Sequence, residues 1–142
     1  MDRRISMRLG DWALQQEGAR AVRIAVFVIE QKVPETLEWD EMDAVSTHAL
    51  VRDADSHPIA TGRLLPDGHI GRMAVSEKWR GQGLGSMVLQ ALMAEARKRG
   101  DRAVVLSAQL HAERFYARFG FVREGEEFMD AGIPHVQMRH HF

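Results

Sequence analysis

Residues 73–86 read MAVSEKWRGQGLGS, a short apolar stretch that leads into a glycine-rich segment, and they carry the strongest chemical signal in the chain. Apolar residues recur at helical spacing from Leu84 to Leu92, so a helix is predicted to begin inside the glycine segment. Three glycines in five positions let backbone N–H groups approach a ligand closely, and the helix N-terminus adds its positive dipole end. With the charge of Arg80, the pattern predicts a phosphate or pyrophosphate site, although a turn that only starts a helix would fit the glycines alone.

Alternating strands and helices are predicted on both sides of this segment. Upstream, the patterns indicate strands at 5–9, 48–52, 59–65 and 69–75, a long helical segment at 12–30, and a loop or short second helix at 33–47. Downstream, they indicate a helix from 84 to about 99, a buried strand at 103–106, a short helix at 112–119, a strand from 121, a loop at 130–134 and a last strand at 136–140. Three consecutive strands suggest an antiparallel meander, and the helix between two strands predicts a right-handed parallel crossover.

Length and composition bound the class of protein. The 142 residues fit one domain, and 45% hydrophobic with 27% charged residues is an ordinary globular composition. No apolar run approaches the ~20 residues of a membrane span, and residues 1–6 lack the apolar stretch of a signal peptide. The absence of cysteine excludes disulfides and a catalytic cysteine, and 19 basic against 20 acidic residues argues against a nucleic-acid surface. We therefore expect a cytoplasmic protein that binds neither nucleic acid nor membrane.

Seven histidines raise the question of a metal site. His140 and His141 are adjacent and would point to opposite faces of a strand, which makes them a poor pair of ligands. The spacings H-x-x-x-H and H-E-x-x-H do not occur in the chain. No metal site is predicted.

The glycine segment matches R/Q-x-x-G-x-G/A, the acetyl-CoA signature of the GNAT acetyltransferases, with Arg80, Gly83 and Gly85 at its defining positions. It is not a P-loop, and its glycine spacing differs from the Rossmann G-x-G-x-x-G. Residues 112–121, AERFYARFGF, resemble the A-x-x-F-Y-x-x-x-G-F segment of the same family. Because these two motifs lie apart in the sequence and belong to the same family, the chain resembles the GNAT family.

Two further stretches, VFVIEQ at 26–31 and the segment at 125–135 with GEEF and GIPH, resemble a branch of small single-domain GNAT proteins. The resemblance therefore covers nearly the whole chain. It implies one N-acetyltransferase domain over residues 1–142. The implied fold is a mixed α/β (α+β) one, with a central, mostly antiparallel sheet, a splayed parallel strand pair and flanking helices.

The resemblance also implies how acetyl-CoA would bind. The strand that carries residues 73–75 should bulge and splay from the strand that carries 104–107, so that pantetheine enters the gap between them. The pyrophosphate would rest on the backbone N–H groups of residues 81–86. The predicted cofactor-binding residues are Met73, Ala74, Val75, Arg80, Gly81, Gln82, Gly83, Leu84, Gly85 and Ser86.

Acetylation of an amine needs a base for the amine and an acid for the leaving thiolate. By resemblance, Tyr116 is the acid, whereas its aromatic neighbours alone would favour a core role. The backbone N–H of Val75 is the expected donor to the thioester oxygen. Glu30, at the end of an apolar helix, is the preferred base; the alternatives are His111, His135 and a water relay.

The predicted function is acetyl-CoA-dependent acetylation of a primary amine on a small molecule or a peptide. The acidic stretch from Glu35 to Asp43 is expected to attract a cationic amine, with Asp40 or Asp43 positioning it, unless the stretch is only a solvated surface loop. The alternatives are an acyl-CoA-binding module without turnover and a phosphate- or nucleotide-binding protein. An exposed last strand would allow a homodimer.

Overall fold

Seven strands form one sheet in the computed structural model, which describes residues 4–142 apart from the side chains at 37 and 38. The strands are β1 Ser6–Gly10, β2 Thr47–Arg52, β3 Pro58–Leu64, β4 His69–Val75, β5 Ala103–Gln109, β6 Val122–Asp130 and β7 Ile133–His141. Their order is β1-β2-β3-β4-β5-β7-β6, and every neighbouring pair is antiparallel except β4 and β5. The mixed sheet, the meander and the parallel crossover are therefore confirmed.

The helices follow the predicted order. They are α1 Trp12–Arg23, α2 Glu35–Glu38, α3 Leu84–Lys98 and α4 Glu113–Ala117, with 3-10 turns at Glu41–Val45, Glu77–Trp79 and Leu110–Ala112. The helical segment predicted at 12–30 is continuous, but its second part, Ile24–Glu30, is a π-helix. A wide turn of this kind is rare and often marks a functional site. Among the described residues, no helix is long and apolar enough to cross a membrane.

The sheet is covered on both faces. Leu50 and Val51 are neighbours in β2 and point to opposite sides, as successive strand residues do. Leu50 packs with Val22 of α1, whereas Val51 belongs to the larger buried cluster with Val88 and Leu92 of α3. All five side chains are almost fully buried. The core therefore consists of two layers, one between α1 and the sheet and one between α3 and the sheet.

The β6–β7 hairpin is longer than predicted. The loop predicted at 130–134 is wrong in extent, because only Ala131 and Gly132 separate the two strands. Both have positive φ, 51° and 78°, as the tight type I′ turn requires. The pair Ala-Gly lacks the usual Asn-Gly or Asp-Gly signal, and Pro134 argues for a loop although proline is tolerated near a strand start.

The prediction of an exposed last strand is also wrong. β7 pairs with β5 on one side and with β6 on the other. The edge strand at this end of the sheet is β6, and all nine of its residues are exposed. A homodimer that uses a free edge at this end would have to pair through β6.

The parallel strands β4 and β5 separate soon after they meet. Their pairing consists of His69 with Val105 and Ile70 with Leu106. Beyond these two pairs the strands diverge, and the predicted splay is confirmed. The divergence leaves one edge of β4 without a partner strand in the middle of the sheet.

A β-bulge in β4 accompanies this divergence. Thr61 of β3 lies opposite Ala74, whereas Arg63 lies opposite Gly71, so β4 carries one extra residue between these pairs. Arg72 in this interval has a φ of 49°, in the left-handed region. Because a bulge bends its strand and increases the local twist, it directs the end of β4 away from β5.

Candidate functional site

A cavity of about 770 Å³ opens where β4 and β5 diverge. Its wall combines β4, the end of the π-helix, α4 and the β6–β7 turn. The predicted site residues on this wall are Glu30, Met73, Ala74, Val75, Arg80, His111, Tyr116 and His135. A smaller cavity of about 160 Å³ shares Met73, Ala74, Val75 and Tyr116 and adds Gly85. The predicted residues that line neither cavity are Gly81, Gln82, Gly83, Leu84 and Ser86.

The backbone of Val75 faces the gap between the parallel strands. Ser76 donates its N–H to the Ile59 carbonyl at 2.8 Å, which makes Ile59 and Ser76 a hydrogen-bonded pair. Hydrogen-bonded and non-hydrogen-bonded pairs alternate in an antiparallel ladder, so the next pair, Ala60 with Val75, is not bonded. Arg80 Nε donates to the Val75 carbonyl at 3.1 Å from outside the sheet, as this orientation requires. The Val75 N–H therefore points toward the gap.

The glycine segment leaves open space in front of α3. Gly81 and Gly83 have positive φ of 76° and 85°, and a Cβ built on either would meet nothing within 4 Å. Glycine is therefore needed at these two positions for the backbone conformation and not for close packing. Gly83 is the N-cap of the 15-residue α3 and offers no side-chain cap. The first N–H groups of α3 are thus left to an outside acceptor, as in helix-terminus anion sites.

Arg80 and Glu30, predicted for separate tasks, are in direct contact. The two terminal guanidinium nitrogens of Arg80 donate to the two carboxylate oxygens of Glu30, each at 2.6 Å. This hydrogen bonding is the main reason that the pKa of Glu30 is lowered, with the Arg80 charge adding to it. The side chains are 42% and 35% exposed. The carboxylate on the wall is therefore ionised and held by the residue expected to bind phosphate.

Tyr116 packs in an aromatic cluster and also borders both cavities. Its ring meets Phe115 edge-on at 5.1 Å and Phe121 at 6.1 Å between centroids. Burial raises the pKa of its phenol to about 12. The hydroxyl therefore stays protonated at neutral pH, and the core and site interpretations of this residue are compatible.

His135 is held in a defined orientation on the same wall. It is buried, its ring stacks on Phe128 at 5.9 Å, and its Nδ1 lies 2.7 Å from the Ile133 carbonyl. A carbonyl only accepts hydrogen bonds, so Nδ1 carries the proton and Nε2 keeps its lone pair in the neutral ring. His111 lies on the wall as well and is exposed.

The acidic stretch corrects one expectation. Asp43 is only 4% exposed and contacts Arg23 at 2.8 Å and Arg63 at 2.9 Å. Burial alone would raise the pKa of Asp43, but these two arginines lower it. Arg63 also binds both oxygens of Asp40, at 2.7 and 2.9 Å, and this hydrogen bonding lowers the pKa of Asp40 to about 2. Both carboxylates are thus neutralised by arginine.

Neither Asp40 nor Asp43 lines the cavity, whereas Arg63 and Arg72 do. The expectation that these aspartates position a cationic amine is therefore wrong. Sequence reasoning also missed Gln109, whose amide donates to the Gln31 side chain at 3.1 Å and ties the end of the π-helix to β5. No local pattern could have identified these contacts, because the partners are far apart in sequence.

One group of possible metal ligands occurs among the described residues. Asp53, Asp55 and His57 bring three ligand atoms within 4.8 Å of one another on the β2–β3 turn. Asp53 Oδ1 already accepts the backbone N–H groups of Asp55 and His57, both at 2.9 Å. Turn geometry explains the cluster, and none of the three lines the cavity.

Comparisons with known proteins agree on one family. Residues 13–142 match the family model described as an acetyltransferase (GNAT) domain. The uncharacterized N-acetyltransferase YjcF of Bacillus subtilis (strain 168) is 39% identical over 128 residues, which cover 87% of this chain and 91% of that protein. The crystal structure of an acyl-CoA N-acyltransferase from Pseudomonas aeruginosa has a TM-score of 0.87 and 33% identity, and the match covers 96% of this chain and 99% of that chain. ElaA of Escherichia coli has the same TM-score, 0.87, at 28% identity, with 96% and 99% covered.

Proposed function

The chain belongs to the GNAT acetyltransferase family, and from this premise we propose that it transfers an acetyl group from acetyl-CoA to a primary amine. Membership supports acyl transfer to an amine; the acetyl donor and the primary amine are our proposal. The observation that carries it is the gap between β4 and β5, which the Val75 N–H faces and the Tyr116 side chain borders. An acyl-CoA-binding module would need the gap and would not need the phenol.

The chain's residues fit the donor in two places. Beside the gap, the backbone around Met73 and Val75 would pair with the pantetheine amides, apart from the Val75 N–H, which is assigned to the thioester oxygen. At α3, the N–H groups of residues 81–86 would hold the pyrophosphate, and the open space at Gly81 and Gly83 supports this. Leu84 has a buried side chain, so it would contribute only its backbone N–H. By the alternation of the ladder, the backbone groups of Ala74 pair with Thr61 of β3, so Ala74 would only line the gap. When bound, acetyl-CoA supplies the thioester that the amine attacks.

Tyr116 would stabilise the departing sulfur. A phenol with a pKa of about 12 is a weaker acid than a thiol at ~8.5, so its first contribution is a charge-assisted hydrogen bond to the developing thiolate. As general acid, the hydroxyl would give its proton to the sulfur late in the step, and the phenolate would regain a proton from solvent, which leaves a CoA thiol and a neutral phenol. The Val75 N–H would donate to the thioester oxygen, where negative charge develops.

Two side chains on the wall compete for the role of base. Glu30 is ionised, but Arg80 holds both of its oxygens. His135 has a free lone pair on Nε2 while its Nδ1 is bonded to the Ile133 carbonyl. We propose Glu30, once it leaves Arg80, as the base, with His135 as the alternative; His111 or a water would act only if both fail.

A pair of variants separates these bases. Glu30→Gln keeps the shape of the side chain and removes its basicity. His135→Asn keeps a donor for the Ile133 carbonyl and removes Nε2. The variant that lowers kcat for the amine by ~10²–10⁴-fold and abolishes the acidic limb of the pH profile identifies the base.

The proposed function is tested by thiol release from acetyl-CoA in the presence of a panel of primary amines. We expect release that depends on the amine and an acetylated product. Thermal stabilisation by CoA without any amine-dependent release would favour the binding module. Stabilisation by ATP and not by CoA would favour a nucleotide-binding protein and contradict the proposal.

A further inference from the structure

We propose that Arg80 couples donor binding to the release of Glu30: its guanidinium holds the Glu30 carboxylate until the pyrophosphate of the donor replaces it. The inference rests on the proposed function in one respect, that the donor carries a pyrophosphate. It assigns Arg80 a positioning role toward the acceptor side of the cavity in addition to phosphate binding.

Arg80 contacts both sides of the cavity at once. Its Nε donates to the carbonyl of Val75 at 3.1 Å, on the edge of β4 that faces the gap. Its two terminal nitrogens hold Glu30 at 2.6 Å each, at the end of the π-helix and 50 residues earlier in the chain. Arg80 also begins the glycine segment that leads into α3. A ligand anion at α3 therefore competes for a guanidinium that already has a carboxylate.

The exposure of this ion pair makes it exchangeable. Arg80 and Glu30 are 42% and 35% exposed, and ion pairs at such positions contribute little to stability. A pyrophosphate offers more negative charge and several acceptor oxygens in the geometry that guanidinium prefers. The ion pair of Asp43 with Arg23 is a contrast, because its side chains are 4% and 1% exposed and no solvent-borne anion reaches it.

Exchange would free the Glu30 side chain without moving its helix. Gln31 N–H bonds the Val26 carbonyl at 2.9 Å, and Val33 N–H bonds the Phe27 carbonyl at 2.8 Å. The Gln31 side chain is tied to β5 through Gln109. The backbone at Glu30 is thus fixed by contacts that do not involve Arg80, and only the carboxylate is released.

Release has a chemical consequence for the acceptor. The hydrogen bonds from Arg80 are the main cause of the lowered pKa of Glu30, so their loss makes the carboxylate a better base. The carboxylate would become able to accept a proton from the amine only after the donor has bound. Donor binding would thereby prepare the acceptor side.

The test measures CoA affinity by calorimetry in a double-mutant cycle of Glu30→Gln and Arg80→Gln. If Glu30 competes with the pyrophosphate, Glu30→Gln binds CoA about two- to five-fold more tightly than the wild-type chain. Arg80→Gln binds CoA more weakly, and adding Glu30→Gln to it changes nothing further. Pantetheine, which lacks the pyrophosphate, binds the wild-type chain and Glu30→Gln equally.

A matched control removes the same charge elsewhere. Glu124 is bound by Arg139 at 2.7 Å on the β6–β7 hairpin, and neither residue lines the cavity. Glu124→Gln is expected to leave CoA affinity unchanged. Unchanged affinity in Glu30→Gln, or equal tightening with and without Arg80, overturns the coupling and leaves the proposed function standing. Failure of the wild-type chain to bind CoA overturns both.

Discussion

The proposed site has a donor half and an acceptor half, and the chain builds them differently. The donor half consists of β4 from 73 to 75 and the segment 80–86, and it presents mainly backbone groups over a short stretch of sequence. The acceptor half consists of side chains from separate elements, among them Gln31, Arg63 and His135. Backbone recognition depends on local conformation, whereas the acceptor half depends on contacts between distant residues. The first can be identified from a motif and the second cannot.

The largest effect is expected where the halves meet, at Tyr116. Tyr116→Phe keeps the packed ring and removes only the hydroxyl proton. We expect kcat to fall ~10²–10⁴-fold with nearly unchanged acetyl-CoA affinity, because the phenol acts on the leaving sulfur and not on donor binding. Thiol release and calorimetry measure the two quantities. A wild-type kcat across the pH range would make Tyr116 a packing residue and leave the donor half without its acid.

The acceptor half is expected to depend on the buried ion pairs behind it. Asp43→Asn leaves Arg23 and Arg63 buried near the cavity with one carboxylate fewer, and breaking a buried pair costs about 3–5 kcal/mol. Urea denaturation should show a loss of this size in the free energy of unfolding. Glu124→Gln, which breaks an exposed pair, is the control and should leave the unfolding midpoint almost unchanged. Equal effects of the two changes would contradict the structural role of Asp43.

A smaller, pH-dependent effect is expected at Asp40. Its pKa is lowered from 3.8 to about 2 in the folded chain, chiefly by the hydrogen bonds from Arg63. A depressed carboxyl pKa stabilises the fold above the unfolded value, and this stabilisation is lost as the pH falls through about 2. The stability difference between the wild-type chain and Asp40→Asn should therefore be present at pH 5 and shrink toward pH 2. A stability difference that stays constant over this pH range would show that Arg63 does not lower the pKa of Asp40.

Most of the fold could be predicted because its signals are local. Helix α3 and the order of elements follow from the glycine segment and from patterns of a few residues each. The splay beside α3 was implied only by the resemblance to the GNAT family. The β6–β7 turn lies inside the predicted loop, but its two-residue length could not be predicted, since the positive φ of Ala131 is unusual for alanine. The role of the acidic stretch could not be predicted because it depends on distant partners. Its charges are visible in the sequence, but Arg23 and Arg63 pair with Asp43 only after folding.

Glu30 and Arg80 could be predicted as site residues, but their contact could not. Each could be selected from its own motif, one at the end of an apolar helix and the other in the glycine segment. Their contact spans the sequence from one motif to the other and appears only in the folded chain. It links the donor half to the acceptor half.

In the proposed function the backbone of the glycine segment binds the pyrophosphate, and the variant Gly83→Asp is the direct test of this binding. Gly83 and Gly100 lie at the two ends of α3, both with positive φ, and a Cβ at either meets nothing within 4 Å. Aspartate tolerates this region better than most residues, so Gly83→Asp and Gly100→Asp impose the same charge and similar strain. Calorimetric titration with CoA should show binding lost in Gly83→Asp and retained in Gly100→Asp, with both variants folded. Wild-type affinity in Gly83→Asp, or equal loss in both, would contradict the account.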